Sequence, residues 1–233
     1  MRSVHCLSMC LALLPAGMVM ADPLPGLSAS CTEQAVDNLL GLPPIPDASS
    51  PEHLVEKIQL GKTLFFDKRL SADGSISCAS CHNPERGFID GLPRAQGIHR
   101  QLGTRNTPTL VNAAFAETQF WDGRRDSIES QATDPLFNPI EHAVNDEVQL
   151  LHTIRQDIQY VAAFEKVYAA SPETLMATQV AQAIAAYERT LVAGNSAFDR
   201  YRYGHDKTAH PSQSPSGSDA PGKNRFGGVS LTS

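Results

Sequence analysis

Between Leu70 and about Arg125 the chain carries almost no helical or strand periodicity. Glycines stand at 74, 87, 91, 97, 103 and 123 and prolines at 84, 93 and 108, so regular elements are cut short wherever they could begin. A stretch of roughly fifty residues with so little regular structure is unusual in a compact domain unless it wraps something. A large bound group would supply the core that these loops cannot build from their own side chains.

The flanks of that stretch read as helices. Ser50-Pro51-Glu52 offers a capping hydroxyl, a proline at the first helical position and an acid in the first turn. Leu54, Ile58 and Phe65 follow at helical spacing. Gly61 costs that helix about 1 kcal/mol relative to Ala, which a close helix–helix crossing would explain. Asp126 to Thr133 reads as a short helix stopped by Pro135. Asn145-Asp146-Glu147 opens another, through Val148, Leu151 and Ile154. Ser171-Pro172-Glu173 repeats the start signal and leads a longer helix, with Met176, Val180, Ala183, Tyr187 and Leu191 on one face. No strand pattern and no internal repeat stands out, so the expected class is all-α.

Both ends differ from this middle. Arg2 followed by an uncharged apolar run from Leu7 to Met20, then Val19-Met20-Ala21, predicts a signal peptide over 1–21, too short to span a bilayer. Residues 22–50 read as an extended lead-in, ending near Leu40-Gly-Leu-Pro-Pro-Ile-Pro46. The helical domain is expected over 51–204, and the Ser-, Pro- and Gly-rich residues 205–233 read as a disordered tail. A formal charge of −6 lends no support to a nucleic-acid-binding face, and 6% aromatic residues with a single Trp disfavour a stacking platform. With no further long apolar run, the expected product is exported and has no membrane span.

Two of the five cysteines, Cys6 and Cys10, lie in the leader; Cys31, Cys78 and Cys81 remain. Cys31 reads as a free thiol without a role. Exported proteins usually pair their cysteines, yet an odd number with two only three residues apart suits redox, metal or haem chemistry better than a staple. Cys78-Ala-Ser-Cys81-His82 is C-x-x-C-H, the attachment signature of c-type haem. Two thiols one helical turn apart can each add to a vinyl group of one porphyrin, and the adjacent imidazole then meets the iron from the same face. A disulfide oxidoreductase would place such a pair after a buried strand, and a structural zinc site needs four ligands. A simple structural disulfide stays open.

Further landmarks are Leu60-Gly-Lys-Thr-Leu-Phe-Phe-Asp67, Asp90-Gly-Leu-Pro93, Arg105-Asn-Thr-Pro-Thr-Leu110, Gln119-Phe-Trp-Asp-Gly-Arg124, Gln131 and Asn138-Pro-Ile-Glu141. With the haem pentad, their order and spacing from about Leu60 to Tyr203 resemble the N-terminal, peroxidatic half of the bacterial di-haem cytochrome c peroxidase and MauG family. The resemblance implies a cytochrome c-like haem domain with long irregular haem-wrapping loops and one covalently bound haem c. It also implies reduction of hydrogen peroxide in the periplasm, with electrons from a small donor protein, a cytochrome c or a cupredoxin. Cys78 and Cys81 would hold the haem, and His82 would be its axial iron ligand. Glu141 matches the catalytic carboxylate that moves a proton between the peroxide oxygens, and Gln131 the distal amide that orients them. Trp121 matches the tryptophan between the two haems, Asn106 a calcium ligand, and Pro135 a distal proline of the MauG branch. His99 falls one position from a distal histidine that ligates iron in the peroxidase branch.

Read without the resemblance, these residues are plainer. Glu141 is a helix-start acid ahead of Asn145, Trp121 a core aromatic, Asn106 a turn residue and Met176 a core residue; His53, His142 and His152 are solvated on helical segments. If Glu141 is buried its pKa should rise, and His82 should donate its other ring proton to a backbone carbonyl. The second haem domain has no counterpart here: no other C-x-x-C-H occurs, and the expectation is a premature stop or frameshift behind the tail. Calcium binding would then lack its other ligands, and the uncovered face would favour self-association. The rival readings are a mono-haem electron-transfer protein without turnover and an inactive fragment.

Overall fold

The computed structural model describes residues 39–46 and 53–209. The signal peptide, Cys31, the start signal at Ser50-Pro51-Glu52 and the chain beyond 209 lie outside the described residues. Within them are seven α-helices and no strand: α1 (Leu54–Phe66), α2 (Cys78–Cys81), α3 (Ile128–Phe137), α4 (Glu147–Arg155), α5 (Ile158–Tyr168), α6 (Ala177–Glu188) and α7 (Ala197–Arg202). Between Ser71 and Ser127 only α2 and three short 3-10 turns interrupt the loops, together with the isolated bridges Asn83–Ile89, Gln96–Leu102 and Gln119–Arg125.

The core forms around α6, which buries Val180, Ala181, Ala183, Ile184 and Ala185. α1 packs most extensively on it, and α3 covers a second side. At the α1–α6 crossing, a Cβ on Gly61 would run into the Ala183 carbonyl and approach Tyr187 Cβ at 3.1 Å. The glycine is therefore what lets the helices come this close, as its position in the sequence suggests. Leu60, Leu64 and Phe65 fill the seam beside it. Phe65 meets Tyr187 edge-on, with ring centroids 5.1 Å apart.

Several local readings need correction. Pro135 does not stop α3; it sits inside the helix, which runs on to Phe137. Proline there only removes one N–H bond to the Gln131 carbonyl, and the turn that follows restores pairing through His142 N–H on the Pro135 carbonyl, at 3.2 Å. Ser171-Pro172-Glu173 starts no long helix: Ser171 and Thr174 close a turn, and α6 begins at Ala177, whose N–H donates to Glu147 Oε1 at 2.8 Å. Met176 precedes that helix and is 52% exposed, not core. Val148 is exposed as well, while Leu151 and Ile154 on the same helix are buried. The sequence reading missed α5, which Asp157 caps through the Gln159 N–H. At the other edge, residues 39–46 form neither helix nor strand and dock on Asn195, which exchanges two hydrogen bonds with Leu40.

Candidate active site

α2 is a single turn. Ser80 Oγ accepts the Ser77 N–H at 2.9 Å and fixes its start. The spacing of three residues places Cys78 and Cys81 on one side of the turn, and both line a small cleft of about 40 Å³. Burial pushes both thiols up, Cys81 to about 11, so they are protonated at neutral pH. A disulfide oxidoreductase needs the reverse, a thiol lowered towards the thiolate.

His82 caps α2 and lines the same cleft. Its Nδ1 lies 3.1 Å from the Phe88 carbonyl oxygen. A carbonyl can only accept, so Nδ1 carries the proton and Nε2 keeps its lone pair. Burial also holds the imidazole below its ordinary pKa and keeps it neutral. Asp90, whose carboxylate acts on His82, has Oδ2 buried without a hydrogen-bond partner among the described residues.

Glu141 reaches the cleft from a tight turn after α3. Its N–H donates to the Asn138 carbonyl at 3.1 Å, and its own carbonyl accepts the Ile98 N–H at 2.9 Å. Gly97 allows this second contact, since a Cβ there would strike the Ile140 carbonyl and the Glu141 backbone. Burial raises the Glu141 pKa above its ordinary value, against the opposing pull of Arg124 and the Asn138 amide. Gln131, Ala132 and Pro135 come from α3, and Ile184 and Glu188 from α6. Cys78, Cys81, His82, Gln131, Pro135 and Glu141 thus meet on one cleft from segments distant in the chain.

Trp121, Asn106 and His99 do not line it. Trp121 is 59% exposed rather than a core aromatic, and its Nε1 donates to the Asn106 carbonyl at 2.9 Å. His99 is exposed, with Nδ1 3.4 Å from the Asp73 carboxylate and a backbone φ of 53°. His53 and His152 are exposed as expected. His142 is not: it is 3% exposed, its Nδ1 lies 2.8 Å from the Leu70 carbonyl, and it lines the cleft.

Sequence reasoning missed Glu188 altogether. The available signal was a carboxylate at the position where the apolar spacing Val180, Ile184 calls for another buried side chain. A wider groove between α1 and α5 has no comparable chemistry. Its charges pair with one another, Arg69 with Asp157 at 3.0 Å and Lys166 with Glu56 at 3.0 Å.

These residues fit a covalent haem. Two neutral thiols and a neutral imidazole bonded through Nδ1 face a cleft walled by Ala132, Pro135 and Ile184. Residues 55–207 match the family described as di-haem cytochrome c peroxidase. The chain belongs to that family.

Among curated family members, it is 41% identical over 151 residues to the methylamine utilization protein MauG of Methylorubrum extorquens, covering 65% of this chain and 42% of that one. It is 41% identical over 156 residues to the cytochrome c551 peroxidase of Pseudomonas aeruginosa, covering 66% and 44%. Of solved structures, a MauG-like protein associated with microbial copper homeostasis superposes with a TM-score of 0.62 at 31% identity, covering 73% of this chain and 49% of that one. The di-haem peroxidase BthA of Burkholderia thailandensis gives 0.55 at 29% identity, over 62% and 41%. The fold is thus the all-α, cytochrome c-like haem fold of this family, whose cofactor is haem c. The chain spans less than half the length of these relatives. No helix among the described residues is long and apolar enough to cross a membrane.

Proposed function

We propose that residues 51–204 form the peroxidatic haem domain of a cytochrome c peroxidase, exported to the periplasm by the signal peptide over 1–21. The observation that carries this reading is the meeting of Cys78, Cys81 and His82 of the pentad with the part-buried Glu141 on one cleft. Cys78 and Cys81 would hold the haem by thioethers and His82 Nε2 would ligate its iron. The bound haem supplies the redox-active iron at which peroxide is reduced.

Glu141 handles the proton. Its raised pKa makes the carboxylate a stronger base than a solvated one, suited to taking a proton from one peroxide oxygen and returning it to the other. Gln131 orients the peroxide by hydrogen bonding, and Pro135 narrows the wall beside it. The Phe88 carbonyl, by accepting from His82 Nδ1, fixes the ring and makes Nε2 a better donor to iron. Two electrons and two protons convert each peroxide to two waters; the electrons come from a small cytochrome c or cupredoxin. The exposed ring of Trp121 is the surface route for those electrons, and Asn106, bonded to it, is a calcium ligand candidate.

His142 favours a second reading, a mono-haem electron carrier. It brings another buried imidazole to the cleft, and its bond to Leu70 leaves Nε2 with a lone pair. If His142 also held the bound iron, it would take the place that peroxide needs.

The visible spectrum of the haem-loaded chain before and after one equivalent of peroxide separates the two. A high-spin resting spectrum that changes rapidly, with the change slowed about 100-fold or more in Glu141→Gln, supports the peroxidase. A low-spin spectrum indifferent to peroxide overturns it in favour of the carrier.

A further inference from the structure

α6 turns a carboxyl, Glu188, into the cleft one helical turn after Ile184. The residue is 5% exposed. The charged and titratable groups around it come from every neighbouring element. Cys78 of α2 feels its charge, and Glu129 of α3 and Arg189 at the end of α6 act on it. Lys57 of α1 acts on Glu129 as well. Tyr168 of α5 faces Glu129, Tyr187 precedes Glu188 in the helix, and Cys81, His82, Glu141 and His142 share the cleft. Arg189 does not neutralise Glu188: its guanidinium donates to both oxygens of Glu129, at 2.6 and 3.0 Å. Burial is the larger influence and lifts the Glu188 carboxyl to about 8. Both of its forms are therefore accessible near neutral pH.

We propose that Glu188 is a proton-loading site of the cleft: its carboxylate takes up one proton from solvent as the bound haem gains an electron, and releases it on reoxidation. The inference rests on the haem occupying this cleft, as argued above. An added electron removes one positive charge from a region of low dielectric, so a nearby carboxylate becomes less favourable and binds a proton. Charge then balances, with one electron from the donor protein and one proton from water. Peroxide reduction consumes protons and electrons in equal number, so the site holds a proton where one is needed. Glu129, whose side chain is 33% exposed, marks the solvent side.

The test is the midpoint potential of the haem-loaded chain from about pH 6 to about pH 10, with proton uptake on reduction followed by an indicator dye in weak buffer. The potential should fall as pH rises through that range, with a fractional proton taken up per electron. Glu188→Gln should lose both effects. A flat wild-type potential without uptake overturns the proposal, as does a Glu188→Gln chain that keeps the wild-type slope. If Glu188→Gln does not fold, the wild-type uptake decides, together with a protonated-carboxyl infrared band that must appear on reduction; lack of either overturns it. A chain matured without covalent haem, seen by mass, overturns the reading of the cleft itself and this inference with it.

Discussion

Asn138 and Glu141 hold each other across one tight turn. The Asn138 amide donates to Glu141 Oε1 at 2.8 Å, while Asn138 Oδ1 accepts the Ile140 N–H at 2.9 Å. One side chain thus shapes the turn and aims the carboxyl it presents to the cleft. It also acts on the chemistry, because a hydrogen bond to the carboxylate opposes the rise in pKa that burial causes.

Asn138→Ala should therefore lower kcat/KM for peroxide about 10- to 100-fold, through loss of aim. It should also move the acidic limb of the pH–rate profile to higher pH. Glu141 must be ionised to accept the proton, and without the amide its pKa rises further. Stopped-flow measurement across the pH range checks both effects; an unmoved acidic limb would show that Asn138 has no hold on the carboxyl.

Gly97→Ala tests the support on the other side of Glu141. The added methyl meets the Ile140 carbonyl and Glu141 backbone, so the loop over 95–103 must withdraw and the Ile98 bond to Glu141 must lengthen. Peroxide turnover should fall about 10-fold or more while covalent haem content is unchanged. Turnover per haem is the measurement, and wild-type turnover would refute the role assigned to this contact.

Gly61→Ala should destabilise the fold although Ala is the better helix former by about 1 kcal/mol. The methyl has no room against the Ala183 carbonyl, so α1 and α6 must separate. A net loss of about 1–3 kcal/mol is expected in urea unfolding. A gain in stability would mean that the crossing can relax freely.

Tyr160→Phe tests a polar cluster under α5. The Tyr160 hydroxyl donates to Asp67 Oδ2 at 2.7 Å, and Arg69 binds the same carboxylate at 2.7 Å and Asp157 at 3.0 Å. Burial raises the Asp67 pKa, but the bonds from Arg69 and Tyr160 outweigh it and hold the group below its ordinary value. A depressed carboxyl binds protons more weakly in the folded state, so its stabilisation is present above the ordinary pKa and lost as pH falls through the folded value. Tyr160→Phe should cost about 1–2 kcal/mol near neutral pH, and the gap from wild type should narrow in acid. Urea unfolding at both pH values reads this directly.

The haem pentad and the helix start at Asp146 are local matters. Each depends on residues a turn apart, so spacing and residue type suffice to read them. The sequence alone also marks Leu70 to Arg125 as a stretch that needs something to wrap.

Burial is different, because a residue's neighbours in sequence do not decide what covers it. Met176 and Trp121, apolar by type, end on the surface, whereas His142 and Glu188, polar by type, end inside. α6 receives α1 on one side and α3 on another, and this packing takes Glu188 out of water; the Leu70 carbonyl does the same for His142 by offering it a bond. Tertiary structure alone decided these placements, because desolvation depends on the distance to groups far along the chain. It is the same desolvation that raises the carboxyls of Glu141 and Glu188 and keeps His82 neutral.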